Sequence, residues 1–245
     1  TNKDTHKGHT DANGVAITET KKGSNDSVGN AVFIVNAQTG ALVWKAVKGS
    51  GAATNRVFQH PLLEDSIPSD VTAVDTDGNG LIDRLYFGDT GGRLWRADVS
   101  CKNQDGTGCA TAGWKVTPIL SVGRHYTDDL TNDRRFFYAP DVAQSKDTIC
   151  ENADGTLFVT LNDSTLEDGA ACSGVVNGTS FVGTVKRLSF DAVVIGTGDR
   201  ETPKNQSVKN WFYMYKDRYI ATGSIPDSFT PVRHEDSQLG DVSDY

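Results

Sequence analysis

From residue 31 onward, short apolar or alternating runs recur along the chain, each separated from the next by turn residues. They are Ala31–Val35, Ala41–Val47, Val71–Val74, Leu81–Phe87, Arg93–Val99, Leu157–Leu161, Phe181–Leu188, Ala192–Ile195 and Trp211–Tyr215. Each has the length of a strand, and no window keeps a helical period over three turns. The pattern predicts an all-β protein. Residues 1–30 are polar and read as a surface loop or N-terminal extension, residues 31–225 as the β-region, and residues 226–245 as a C-terminal tail.

The runs contain a repeat. Thr39-Gly40-Ala41-Leu42-Val43-Trp44-Lys45-Ala46 and Thr90-Gly91-Gly92-Arg93-Leu94-Trp95-Arg96-Ala97 share the pattern T-G-x-x-x-W-[KR]-A. A strand-like run precedes each, so each unit reads as a hairpin with Thr-Gly in the turn and Trp inside the second strand. A β-unit returning after about fifty residues suggests β-propeller blades of about four strands. At most about five such blades fit, so the chain is expected to be a partial ring from a longer protein.

Between these hairpins lies Asp75-Thr76-Asp77-Gly78-Asn79-Gly80-Leu81-Ile82-Asp83. Oxygen-bearing side chains stand at positions 1, 3, 5 and 9, and the Leu81 carbonyl at position 7 offers a further ligand. Asp75, Asp77, Asn79, Leu81 and Asp83 are the candidate ligand set. Without a cation the three carboxylates repel one another. Gly78 and Gly80 permit the tight turns that aim the ligands inward. Position 12 is Tyr86, where an EF-hand carries a bidentate Glu, and the flanks are strand-like, so Asp83 must supply the strong last ligand. Oxygen-only ligation without His or Cys selects Ca²⁺. Two weaker echoes, Asp11–Glu19 and Asn152–Thr156, read as ordinary turns.

Composition narrows the function. The chain has 245 residues and a net charge of −8, which disfavours nucleic acid and anionic membrane surfaces. No run reaches the length of a transmembrane segment. The cysteines Cys101, Cys109, Cys150 and Cys172 lack a CxxC pattern and a histidine partner set. Four cysteines allow three pairings; Cys101–Cys109 with Cys150–Cys172 is favoured, and implies export to an oxidising compartment. The histidines His6, His9, His60, His125 and His234 are scattered, with no nucleophile motif, HExxH or P-loop nearby. The acidic pairs Asp128-Asp129 and Glu235-Asp236 read as solvated surface. Gly196-Thr197-Gly198-Asp199-Arg200-Glu201 lacks the lysine and helix of a phosphate loop and reads as a turn with an Asp–Arg–Glu network. No catalytic residues are expected.

Three segments in order resemble the C-terminal β-propeller of the PilY/PilC family of type IV pilus biogenesis and tip adhesin proteins. They are Phe33–Trp44; Val74–Asp89 continuing through Gly92-Arg93-Leu94-Trp95-Arg96; and Ile195–Pro203 followed by Asn210–Tyr213 and Lys216-Asp217. The resemblance spans about residues 30–217 and implies a calcium-binding, exported, non-enzymatic protein of the periplasm, cell surface or pilus tip. It further implies support for pilus extension, partners among the minor pilins of the tip complex, and adhesion to a host or abiotic surface. The family carries calcium in this loop, so the ligand roles transfer to Asp75, Asp77, Asn79, Leu81 and Asp83; Asn79 stands where Asp is often found. Two other readings compete. Thr-Gly-x-x-x-Trp hairpins also occur in quinoprotein dehydrogenases that bind pyrroloquinoline quinone, but the adjacent cysteine pair often found there is missing. A calcium-stabilised extracellular binding scaffold is the other.

Overall fold

The computed structural model describes residues 26, 28–99, 111–123, 132–156, 158–200, 203–204, 206, 208–220 and 225–233. The Cys101–Cys109 pair, the Asp11–Glu19 echo, His6, His9, His125, His234, Asp128-Asp129, Glu235-Asp236, most of residues 1–30 and most of the tail lie outside them. The described residues are all-β. Thirteen strands run in chain order: β1 Ala31–Val35, β2 Leu42–Lys48, β3 Val57–His60, β4 Thr72–Val74, β5 Arg84–Gly88, β6 Arg93–Asp98, β7 Lys115–Ser121, β8 Asp141–Asn152, β9 Phe158–Thr160, β10 Ala171–Val176, β11 Thr179–Gly196, β12 Phe212–Asp217 and β13 Val232–Arg233. One 3₁₀ turn, Thr111–Gly113, precedes β7. The strands form three sheets, in the orders β1-β2-β3, β13-β7-β6-β5-β4 and β10-β11-β8-β9, with β12 also paired to β11. None of the three closes on itself.

The chain divides into two compact units, one drawn from residues 1–141, 194–214 and 226–245, the other from 142–193 and 215–225. In the first, both halves of the sequence repeat are antiparallel hairpins. Trp44 of β2 sits opposite Ile34, and Trp95 of β6 opposite Phe87. Both tryptophans are completely buried. Their turns differ. In the β1–β2 hairpin Asn36 N–H donates to the Ala41 carbonyl at 2.8 Å and the left-handed residue is Gly40. In the β5–β6 hairpin Asp89 N–H donates to the Arg93 carbonyl at 3.0 Å and the left-handed residue is Gly92.

The repeat has a packing reason. Trp44 stacks on Phe58 and meets Trp114 edge-on; Phe58 stacks on His60; His60 meets Trp95 edge-on at 5.1 Å; and Trp95 stacks on Phe87. The two repeated tryptophans are thus stations on one run of rings, with centroid spacings in the range that favours aromatic pairs. Val32, Ala46, Leu63, Ala97, Val99 and Val116 fill the same core. Phe58, His60 and Trp114 belong to no run picked out from the sequence. His60, read there as one of five scattered histidines, is instead a core ring. Burial and the neighbouring Arg93 charge lower its pKa from 6.5 to about 4, so it is neutral at physiological pH.

Strand β7 is also hidden in the sequence, because it carries Pro118. The register of the β6–β7 ladder shifts between Leu94 and Trp95, and Trp95 faces Pro118. A proline is tolerated in a sheet interior at such an irregularity because the ladder already lacks a regular bond there.

In the second unit, β10 and β11 are joined by the two-residue turn Asn177-Gly178, both residues at positive φ (49° and 80°). That is the turn whose twist matches the strands it joins. Cys150 of β8 and Cys172 of β10 form a disulfide with Cα atoms 5.8 Å apart. Strands β8 and β10 lie on either side of β11 in strand order. Two interstrand spacings of about 4.8 Å would keep the cysteines too far apart in a flat sheet. The sheet therefore bends sharply, and glycines allow it. Gly183 pairs with Cys172, and a Cβ on Gly183 would stand 2.0 Å from the Glu151 carbonyl oxygen. A Cβ on Gly174 would stand 2.7 Å from Val159 of β9. Residues 181–188 and 192–195, read from the sequence as separate strands, are one strand, β11.

Candidate metal centre

The nine-residue loop 75–83 joins β4 to β5, whose antiparallel register sets Val74 opposite Arg84. The flanks are strands, as the sequence predicts. Asp75 is the first residue after β4 and Asp83 the last before β5, so the hairpin itself brings the two ends of the loop together. Asp83 is fixed through its backbone: its N–H donates to the Val74 carbonyl at 2.9 Å and its carbonyl accepts Val99 N–H at 2.8 Å. Its carboxylate accepts Thr76 N–H at 2.8 Å.

Asp75 organises the turn. One carboxylate oxygen accepts Gly78 N–H at 2.8 Å and Asn79 N–H at 3.2 Å, and the other accepts Gly80 N–H at 2.8 Å. Gly78 and Gly80 are both left-handed, with φ of 74° and 84°, and this turns successive amides inward. The Gly80 N–H first, then those of Gly78 and Asn79, hold the Asp75 carboxyl below the usual carboxylate range. Asp75 is therefore ionised wherever a carboxylate ligand is needed, and protons compete weakly for it. Asp77 accepts Asn79 N–H at 3.1 Å and the Asn79 side-chain amide at 3.0 Å.

Asp75, Asp77 and Asp83 each offer a carboxylate oxygen, and these oxygens lie within 4.8 Å of one another. Ligands at about 2.3–2.6 Å from a shared Ca²⁺ stand at most about 5 Å apart, so the spacing fits a hard cation. Of the five sequence candidates, these three are brought into one group. Asn79 lies in the same turn with its amide engaged inside the loop, where its Oδ1 accepts Leu81 N–H at 2.8 Å. Leu81 follows it, half-buried.

The other motifs resolve structurally. Asn152–Thr156 is the turn between β8 and β9, as expected from the sequence. The Gly196–Glu201 segment corrects the sequence reading. The arginine that pairs with Asp199 is Arg135, at 2.9 Å, which also holds Asp133 at 3.1 Å. Arg200 lies over the Tyr138 ring at 5.5 Å instead, and Glu201 lies outside the described residues. The partner of Asp199 is 64 positions away in sequence, so no local pattern could reveal it.

An all-β chain with an acidic hairpin loop and a strand-to-strand disulfide is the class defined so far. No family model matches it. Among curated proteins it is similar to the type IV pilus biogenesis factor PilY1 homolog of Xylella fastidiosa (strain Temecula1), with 29% identity over 185 residues. That match covers 74% of this chain and bears out the PilY resemblance drawn from the sequence, while the chain spans 12% of the relative's length. Among solved structures it is similar to the Pseudomonas aeruginosa PilY1 C-terminal domain, with a TM-score of 0.44 and 18% identity, covering 82% of this chain and 35% of that one.

Proposed function

We propose that this chain is a calcium-binding portion of a type IV pilus biogenesis protein of the PilY type, non-enzymatic and exported. Its sheets are read as blades of a β-propeller that continues in a longer polypeptide. The observation that carries the reading is the convergence of the Asp75, Asp77 and Asp83 oxygens within 4.8 Å on a loop held at both ends by strands. Ca²⁺ is the cation whose size and oxygen preference suit that group, with the Asn79 amide and the Leu81 carbonyl as the remaining donors. The relative's printed role in pilus biogenesis supports the assignment to a pilus. The Cys150–Cys172 disulfide supports export. In this reading the ion neutralises most of the loop's charge and stiffens the β4–β5 hairpin, so a partner surface on that hairpin differs between loaded and empty states. Minor pilins of the tip complex, and a host or abiotic surface, are the partners proposed.

Calorimetry tests the ion. Calcium should bind with measurable heat and raise thermal stability by about 2.7 kcal/mol at a free concentration a hundred times Kd. Asp75→Ala should abolish both effects. Equal melting of the wild type in calcium and in chelator would refute the site. For the pilus role, a strain carrying Asp83→Ala in the intact protein should extend fewer pili and lose the response of extension to calcium. Wild-type piliation in that strain would refute the role while leaving the ion site standing.

A further inference from the structure

Asn-Gly steps occur in the sequence at 13–14, 79–80 and 177–178; the first lies outside the described residues. Such a pair can react with itself. The glycine nitrogen, once it gives up its proton, attacks the side-chain amide carbon of the asparagine before it, and glycine has no side chain to hinder the approach.

The two described steps sit in opposite surroundings. Asn177 and Gly178 are both exposed and form the turn between β10 and β11. The last pair of that ladder is Val176 with Thr179, so the ladder makes no use of the turn's own N–H groups. Among the described residues nothing accepts Gly178 N–H and nothing holds the Asn177 side chain. A Cβ on Gly178 would meet nothing within 4 Å, so the turn has open space in which to rotate. Gly80 is held instead. Its N–H donates to one Asp75 carboxylate oxygen at 2.8 Å, and the other oxygen takes the N–H groups of Gly78 and Asn79. The Asn79 side chain is engaged at both ends, its amide donating to Asp77 at 3.0 Å and its Oδ1 accepting Leu81 N–H at 2.8 Å. For attack, the Gly80 nitrogen must shed its proton while a carboxylate both holds that proton and repels the anion left behind. Losing a hydrogen bond to a charged acceptor slows such a step about tenfold or more.

We propose that Asn177 is a site of spontaneous deamidation and that Asp75 guards Asn79 against the same reaction. At Asn177 the deprotonated Gly178 nitrogen forms a bond to Cγ, the Cγ–Nδ2 bond breaks, and the side-chain nitrogen takes a proton from water and leaves as ammonia. A succinimide ring remains. Water then opens the ring at either carbonyl. Cleavage between the nitrogen and Cγ leaves aspartate in a normal chain; cleavage at the backbone carbonyl carbon leaves isoaspartate, in which the chain runs through the side chain. The sum is amide plus water giving carboxylate plus ammonium, with no change in oxidation state. Each event makes the net charge of −8 more negative by one unit. Aspartate keeps the turn, since Asp-Gly suits the same geometry as Asn-Gly. Isoaspartate adds a carbon to a two-residue loop whose length fixes the register of the ladder, and so loosens the tip of the β10–β11 hairpin.

Peptide mapping by mass spectrometry tests both halves, on the full chain aged warm at mildly alkaline pH with chelator present. The chelator makes the result independent of whether the 75–83 loop takes calcium. In the folded chain the Asn177 peptide should convert to its acid forms about tenfold or more faster than the Asn79 peptide. In urea, where both turns are lost, the two rates should converge. Equal rates in the folded chain, or an Asn177 that converts only in urea, would overturn the proposal. A gap in urea as wide as in the folded chain would trace the difference to sequence neighbours and overturn the guard. Asp75→Ala should raise the Asn79 rate about tenfold or more, whereas Asp77→Ala, which leaves Gly80 N–H on Asp75, should change it little. An equal rise in both variants means that general loosening of the loop, not that bond, exposes Asn79, and the guard falls.

Discussion

Gly123→Ala is expected to destabilise the first unit by about 3 kcal/mol or more, the size of a severe overpacking defect. The added Cβ would lie 1.9 Å from the Gly91 carbonyl oxygen and 3.0 Å from the Arg134 carbonyl oxygen. Both obstacles are backbone, so no rotamer change can relieve them. The turn cannot retreat either. Val122 N–H donates to the Gly92 carbonyl at 2.9 Å, and a Cβ on Gly92 would itself lie 2.6 Å from Gly123 Cα. The glycine pair of the second hairpin therefore allows three backbone segments to touch, whereas a Cβ on Gly40 of the first hairpin would meet nothing within 4 Å. Gly40→Ala should consequently cost only the strain of its positive φ, about 1 kcal/mol. Urea unfolding of the two variants checks the contrast, and equal losses would show that the backbone contact is not what Gly123 serves.

Reduction of the Cys150–Cys172 disulfide, or its replacement by a pair of serines, is expected to destabilise the second unit by roughly 3.5 kcal/mol. The bond closes a loop with a sequence separation of 22, and the chain-entropy relation gives that magnitude for such a loop. The bend between β8 and β10 adds to the consequence, because the crosslink holds the two strands closer than a flat sheet would. Chemical denaturation with and without reductant measures the loss. A difference under about 1 kcal/mol would mean that the glycines at 174 and 183 suffice to keep the bend, contrary to the chain-entropy relation.

The features legible in the sequence are those whose determinants lie close together along the chain. The 75–83 ligands occupy one turn, so their spacing alone identifies the group and the strand flanks. The paired hairpins can be read because the turn and the tryptophan recur in the same order. Strands β3, β8 and β10 carry no comparable signal. In Asp141–Asn152 the buried stretch, Thr148-Ile149-Cys150, follows a mostly exposed half, and Ala171–Val176 alternates exposed with half-buried positions, its Val175 facing solvent. Such strands are held by their neighbours in the sheet rather than by their own pattern. The buried ion pairs of Arg93 with Glu64 and Asp65 are hidden for a related reason. Arg93 and its two partners come from separate segments, and a charged residue in a turn looks solvated until the fold buries it.

The chain has four tryptophans, and all of them, Trp44, Trp95, Trp114 and Trp211, belong to the first unit. Indole emission is accordingly a one-sided reporter. A fluorescence melt follows the unit that holds the acidic loop and the buried carboxylates, and is blind to events confined to residues 142–193. Circular dichroism sees both units, so any gap between the two transition curves measures how independently the disulfide-bearing unit comes apart.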